Sequence, residues 1–325
     1  MIHQNKLCVA AIQSYSGDSD PVANRLRIET LVTEAKNKGA QLVLLPEFVF
    51  TGYRLESSIW YKGEVAQGDT FSWLLAQARQ HQIWIGASFL EVDGDDFYNT
   101  FVLVNDDGNE VIRVRKSKPA ATEAFFFRGD QTRRVLETPF GKIGVAICYE
   151  GVLAEPLQEL YEEGAQLVLI PMSAPTPSQN KPLTAEDIKQ YNDAVRHYAE
   201  NVSKSLGVPA VMANKVGPWH TRSPWPFPLE NSSFPGCSCI SDGTGKVLAN
   251  LEAQEGVIVA EVTLDLSTRP EKPPDFYGKW AIKPPDMFKL FVISETLGKL
   301  SYFLSRKRRR IARQICSQQK SSESQ

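Results

Sequence analysis

Cys148 closes the run Gly141-Lys142-Ile143-Gly144-Val145-Ala146-Ile147-Cys148. The run is short, apolar and rich in small or β-branched residues, so it reads as a buried strand. A thiol at the exit of such a strand is held rigidly while the next backbone N–H groups turn outward. That arrangement suits a nucleophile beside an oxyanion site, with the Tyr149 N–H as the first donor. Two other groups have the chemistry to assist it. Glu47 follows the apolar run at 41–45, so its carboxylate stands at another strand end. Lys116 lies in Arg113-Val114-Arg115-Lys116-Ser117-Lys118-Pro119, where Pro119 stops the strand and holds the lysine close to the sheet edge. A thiol, a base and a cation are the parts of covalent catalysis.

The elements that must position these groups are partly repeated. Gly39-Ala40-Gln41-Leu42-Val43-Leu44-Leu45-Pro46-Glu47 returns as Gly164-Ala165-Gln166-Leu167-Val168-Leu169-Ile170-Pro171-Met172. Each copy follows a helical stretch, and each helical stretch follows a strand, at 7–13 and 143–149. A hairpin signal comes later in both halves, at 104–110 and 241–248. The continuous apolar runs at 42–45 and 167–170 indicate strands covered on both faces. Helices are expected at 21–38, 70–81, 155–163 and 185–206, and further strands at 83–91, 98–104, 208–213 and 256–262. Pro21 fits the first turn of its helix. Two central sheets with helices outside follow, an αββα four-layer sandwich over residues 1–266. The repeat carries one asymmetry: Glu47 in the first copy is Met172 in the second. Ligands in open α/β sheets sit at strand C-terminal ends, so one site drawing on both halves is expected.

Composition narrows the classes. The chain has 325 residues, 42% hydrophobic and 23% charged, with net charge −2. That is the balance of an ordinary globular protein, and it gives no general attraction to nucleic acid. Five sparse cysteines do not form a disulfide framework. Residues 1–6 lack a signal-peptide core, and the expected compartment is the cytoplasm. Cys237 and Cys239 are too close for common zinc spacing, so no metal is expected. His197 is the remaining conceivable partner for Cys148, but a position inside a helical run favours the surface.

These residues resemble a known family. Glu47 in Leu-Pro-Glu-Phe, Lys116 in Arg-Lys-x-x-Pro and Cys148 in Ile-Cys-Tyr-Glu look like the Glu-Lys-Cys triad of the nitrilase superfamily of carbon–nitrogen hydrolases. The order and spacing agree. Thr51-Gly52-Tyr53, Tyr98-Asn99-Thr100, Ala213-Asn214-Lys215-Val216-Gly217 and Gly236-x-Ser238 extend the resemblance over about 7–262. It implies that Glu123 is a second glutamate orienting substrate or lysine, and that Tyr53 and Ser173 join Tyr149 around the substrate or oxyanion. It implies hydrolysis of a small amide through a thioester, without cofactor. A nitrilase, an acyl transferase to an amine, and a binding protein on the same fold are the alternatives. The Lys-x-x-Pro segment is nitrilase-like, whereas Tyr149 after the cysteine is amidase-like. Lys116 is expected to favour the thiolate. Candidate pocket loops are 180–186 and 218–234, with Trp219, Trp225 and Phe227.

From 267 the character changes. Pro270, Pro273, Pro274, Pro284 and Pro285 mark an extended arm. Family members commonly end in an arm that crosses a dimer interface, so a homo-oligomer is expected. An apolar helical run follows, then Arg306-Lys307-Arg308-Arg309-Arg310 and a polar end from Ser317 expected to be disordered. Packing against a second subunit is preferred here over contact with an anionic membrane surface.

Overall fold

The computed structural model of the chain describes residues 5–15, 20–180, 183–225, 227 and 229–323. Residues 1–4, part of the pocket loops (181–182, 226 and 228) and the last two residues of the polar end lie outside the described residues. The fold is an αββα sandwich. Among the described residues one sheet has nine strands and the other six.

In the larger sheet, Asn5–Tyr15 pairs in parallel with Leu42–Leu44, which pairs in parallel with Trp84–Asp93. Antiparallel Asp96–Val104 and Glu110–Arg115 complete that half. The smaller sheet repeats the plan. Gly141–Val145, Leu167–Pro171 and Ala210–Ala213 are parallel, followed by antiparallel Cys239–Ser241 and Val247–Asn250. The repeat in the sequence is thus a repeat of strand order, hairpin included.

Strand alternation explains the layers. In Asn5–Tyr15, the residues Leu7, Val9 and Ala11 face the second sheet with Leu169 and Val211. Ala10 and Ile12 face the opposite way, against Ile28, Val32 and Ala35 of the helix Pro21–Asn37. That helix starts where Asp20 accepts the Val22 and Ala23 N–H groups and Pro21 gives up an N–H that had no partner. On the far side, Leu157 and Leu160 of Ala154–Glu162 and Ala199 and Val202 of Tyr198–Leu206 cover the smaller sheet. Each fully buried Leu or Val contributes roughly 1.5–3 kcal/mol.

Three expectations are corrected. The strand before Cys148 ends at Val145, and Cys148 opens a short 3-10 turn, Cys148–Val152. The helix expected at 185–206 is two helices, Ala185–Arg196 and Tyr198–Leu206, broken at His197. The polar end from Ser317 continues a helix, Arg306–Glu323, instead of being disordered. The basic run lies in that helix, where Arg308 meets Asp96; beyond the run, Arg313 meets Asp95 at 2.7 Å. No helix among the described residues is long and apolar enough to cross a membrane.

Candidate active site

The tips of the two repeat copies touch. The Glu47 N–H donates to the Met172 carbonyl at 3.2 Å, and Ser173 Oγ donates to the Glu47 carbonyl at 2.7 Å. The Glu47 carboxylate therefore stands at the junction of the two sheets. The next residue, Phe48, has φ +49, and its carbonyl accepts from Lys215 Nζ at 2.9 Å. Left-handed backbone is strained for a non-glycine residue, so the turn is held by such contacts.

Lys116 follows the strand Glu110–Arg115, and its N–H donates to the Asn99 carbonyl at 2.8 Å. Its side chain is fully buried. Nζ lies 2.9 Å from Glu47 Oε1 and 2.8 Å from Glu123 Oε2. Both carboxylates are fully buried as well. Glu123 sits in the 3-10 turn Ala121–Phe125, where the Ala120 N–H and Tyr53 Oη each donate to it at 2.6 Å. Asn99 Nδ2 donates to Glu47 Oε1 at 2.5 Å. Glu47 Oε2 is buried and has no hydrogen-bond partner among the described residues. A buried carboxylate oxygen without a partner is costly, and it marks a place that a substrate, water or thiol proton can occupy.

Cys148 also has left-handed backbone, φ +51. Three contacts fix its turn. Glu150 Oε2 accepts the Ile147 N–H at 2.8 Å, Glu150 Oε1 accepts the Ser117 N–H at 2.7 Å, and the Tyr198 hydroxyl donates to the Cys148 carbonyl. Glu150 thereby ties the thiol's turn to the residue after Lys116. The Ser173 N–H faces the sulfur. Tyr149 begins the turn with Cys148, and its hydroxyl donates to Glu295 Oε1 at 3.0 Å.

Lys116 acts on the sulfur in the expected direction, toward the thiolate, but other influences outweigh it. Burial pushes the Cys148 thiol well up, and Glu47 pushes it further, while Lys116 only partly opposes them. Burial, the largest of these influences, favours the neutral thiol, and the two carboxylates add to it. Burial, countered in part by Lys116, also lifts Glu47 above the ordinary carboxylate value. Burial alone lowers the Lys116 ammonium, yet Glu123 and Glu47 overrule it and hold the group well above its usual value.

The structure brings all seven expected residues together: Glu47, Lys116, Glu123, Cys148, Tyr149, Tyr53 and Ser173. His197 is exposed and its ring nitrogen meets the Asp193 carbonyl, so it does not approach the thiol. Trp219 and Phe227 line a cavity of about 270 Å³ that opens at Cys148, whereas Trp225 is 91% exposed. Sequence reasoning missed the roles of Asn99, Glu150 and Tyr198. Asn99 stood in a quoted motif without an assignment. The helical run after Met287 is expected, but not that its helix Phe288–Leu304 forms one wall of the cavity through Phe288, Phe291 and Ile293.

Where the two sheets meet, the fold gathers a buried thiol, a lysine and two carboxylates, the parts that thiol-based hydrolysis would need. The chain belongs to the carbon–nitrogen hydrolase family, whose model matches residues 8–269. It is similar to a nitrilase of Pyrococcus abyssi, 33% identical over 265 residues that cover 79% of this chain and 90% of that protein. It is also similar to an N-carbamoylputrescine amidase of Arabidopsis thaliana, 27% identical over 301 residues, 89% of this chain and 96% of the relative. A carbon–nitrogen hydrolase of Helicobacter pylori G27 shares the fold at TM-score 0.71 and 20% identity, over 80% of this chain and 90% of the other. An amidase of Nesterenkonia sp. AN1, solved with acrylamide added to its active-site cysteine, superposes at TM-score 0.64 and 24% identity over 78% and 92%.

Proposed function

We propose that the protein hydrolyses the C–N bond of a small amide through a thioester on Cys148. As the sulfur attacks the carbonyl carbon, Glu47 Oε2 accepts the thiol proton and a C–S bond forms. The carbonyl electrons move onto oxygen, which meets the Lys116 ammonium and the Tyr149 N–H. Glu47 passes its proton to the nitrogen, the C–N bond breaks, and ammonia or an amine leaves. Water then attacks the thioester while Glu47 takes one of its protons. The C–S bond breaks, the sulfur regains a proton, and a carboxylic acid departs. Glu123 and Tyr53 hold the lysine in place.

One observation carries this reading: the partnerless, buried Glu47 Oε2 belongs to the carboxylate whose charge acts most strongly on the Cys148 thiol. A neutral thiol needs a base at the moment of attack, and this one is basic because it is buried. The nitrilase reading is favoured by the Pyrococcus abyssi relative. It uses the same groups to form a thioimidate and then release ammonia and a carboxylate.

The test is a panel of amides, nitriles and N-carbamoyl compounds scored by ammonia release, with mass spectrometry of the Cys148 peptide. Turnover with an acyl adduct on Cys148 is the expected result. Cys148→Ala should abolish turnover while circular dichroism is unchanged. Retained activity in that variant overturns the covalent mechanism, and a nitrile-only profile replaces the amide reading.

A further inference from the structure

The cavity at Cys148 is unlike the charged site behind it. Its wall includes Ala174, Tyr191, Val195, Phe288, Phe291 and Ile293. Glu230 is the only lining residue among those described that carries a charge, and its Oε2 already accepts the Ser178 N–H at 2.9 Å. Lys116 lies behind the cavity, already flanked by two carboxylates. A substrate with a carboxylate tail finds no cation among the described lining residues. One with an ammonium tail finds a single, occupied acid. A carboxylate would be desolvated without compensation, and an ammonium would have only Glu230, shared with a backbone N–H, to offset its desolvation.

The chain beyond the family match supplies much of this apolar wall. Helix Phe288–Leu304 lies outside residues 8–269 yet packs directly on the site. The Phe291 ring centroid is 5.6 Å from that of Tyr149, and Phe288 and Phe291 stack at 4.7 Å. Glu295 takes the Tyr149 hydroxyl and also pairs with Lys279 at 3.2 Å. The wall is therefore fastened to the turn that carries the nucleophile.

We infer that the substrate's acyl group carries an uncharged, apolar chain, and that helix Phe288–Leu304 selects it. The inference rests on the amide reading above and names the substrate class for that same site. An apolar chain entering this cavity leaves water for hydrocarbon contact, a gain of about 0.8 kcal/mol for each buried methylene.

The experiment is kcat/KM for straight-chain primary amides from acetamide to octanamide, with succinamic acid and 4-aminobutanamide as charged comparators. The expected rise is about three- to fourfold per methylene until the cavity is full. The charged comparators should fall at least about tenfold below butanamide. Phe291→Ala should flatten the slope, lowering the ratio of octanamide to acetamide. Ile293→Ser provides the same test should Phe291→Ala not fold. A flat or falling slope, or preference for a charged comparator, overturns the inference while leaving the amide reading intact. A steep slope unaffected in both variants removes the helix from the selection. No turnover on any amide, with Cys148 unacylated, takes down the underlying reading instead.

Discussion

Lys116 holds two carboxylates with one ammonium, and that sharing sets the pH behaviour of the site. Glu47 must be ionised to take a proton, and its value is raised above the ordinary carboxylate range. Activity therefore falls as pH drops through that raised value, and the acid limb of kcat/KM should lie above about 4.3. An acid limb at or below that value removes Glu47 as the base. Glu123 is the stronger of the two carboxylates holding the Lys116 ammonium up. Glu123→Gln should bring the alkaline limb to lower pH and reduce kcat by about 10²-fold or more. An unmoved alkaline limb denies Lys116 its part. Glu47, Lys116 and Cys148 are legible in the sequence because each stands at a strand end, where the chain leaves the sheet. The Asn99 contact is not legible, since it needs the register that puts its carbonyl on the Lys116 N–H. Nor is the direction of the thiol shift, which depends first on how deeply the sulfur is buried and then on the charges around it.

At the scale of elements, the repeated strand–helix–strand unit and its hairpin can be read directly from the sequence. The break at His197 cannot, because residues of helical character continue through it. It becomes intelligible only with Tyr198 reaching the Cys148 carbonyl. The helical run after Met287 is likewise legible, but its destination is not. Helix Phe288–Leu304 lies against the turn Ala121–Phe125 that bears Glu123, and Gly298 permits the approach. A Cβ at Gly298 would stand 2.8 Å from the Ala124 carbonyl carbon and Cβ, closer than packed atoms tolerate. Gly298→Leu should therefore destabilise the protein by about 1–3 kcal/mol and lower kcat together with it. Denaturant unfolding and steady-state kinetics on the same preparation check this. Full activity at wild-type stability would show that the helix has no hold on the Glu123 turn.

For the whole molecule, the outer side of that helix remains uncovered within one chain. Leu297, Leu300 and Leu304 recur at helical spacing and are exposed, and Phe303 beside them is 72% exposed. We propose that the self-association expected from the sequence would use this stripe. Leu300→Asp and Phe303→Asp should lower the mass measured by light scattering towards that of a single 36.3 kDa chain. An unchanged mass takes the stripe out of the interface. The arm before the helix stays on its own chain where it passes the site: the Ala281 N–H donates to the Val152 carbonyl at 2.9 Å and the Ala154 N–H to the Lys279 carbonyl at 2.9 Å.

The two repeat copies divide the labour unequally. Glu47, Lys116 and Glu123 precede residue 130, and the proposed nucleophile enters only with Cys148 in the second copy. A peptide cut in the partly exposed stretch 128–133 would leave Glu47, Lys116 and Glu123 on one fragment and Cys148 on the other. Neither piece is armed by itself. Reactivity of Cys148 toward an amide then becomes a reporter of reassembly, switched on only when the halves meet.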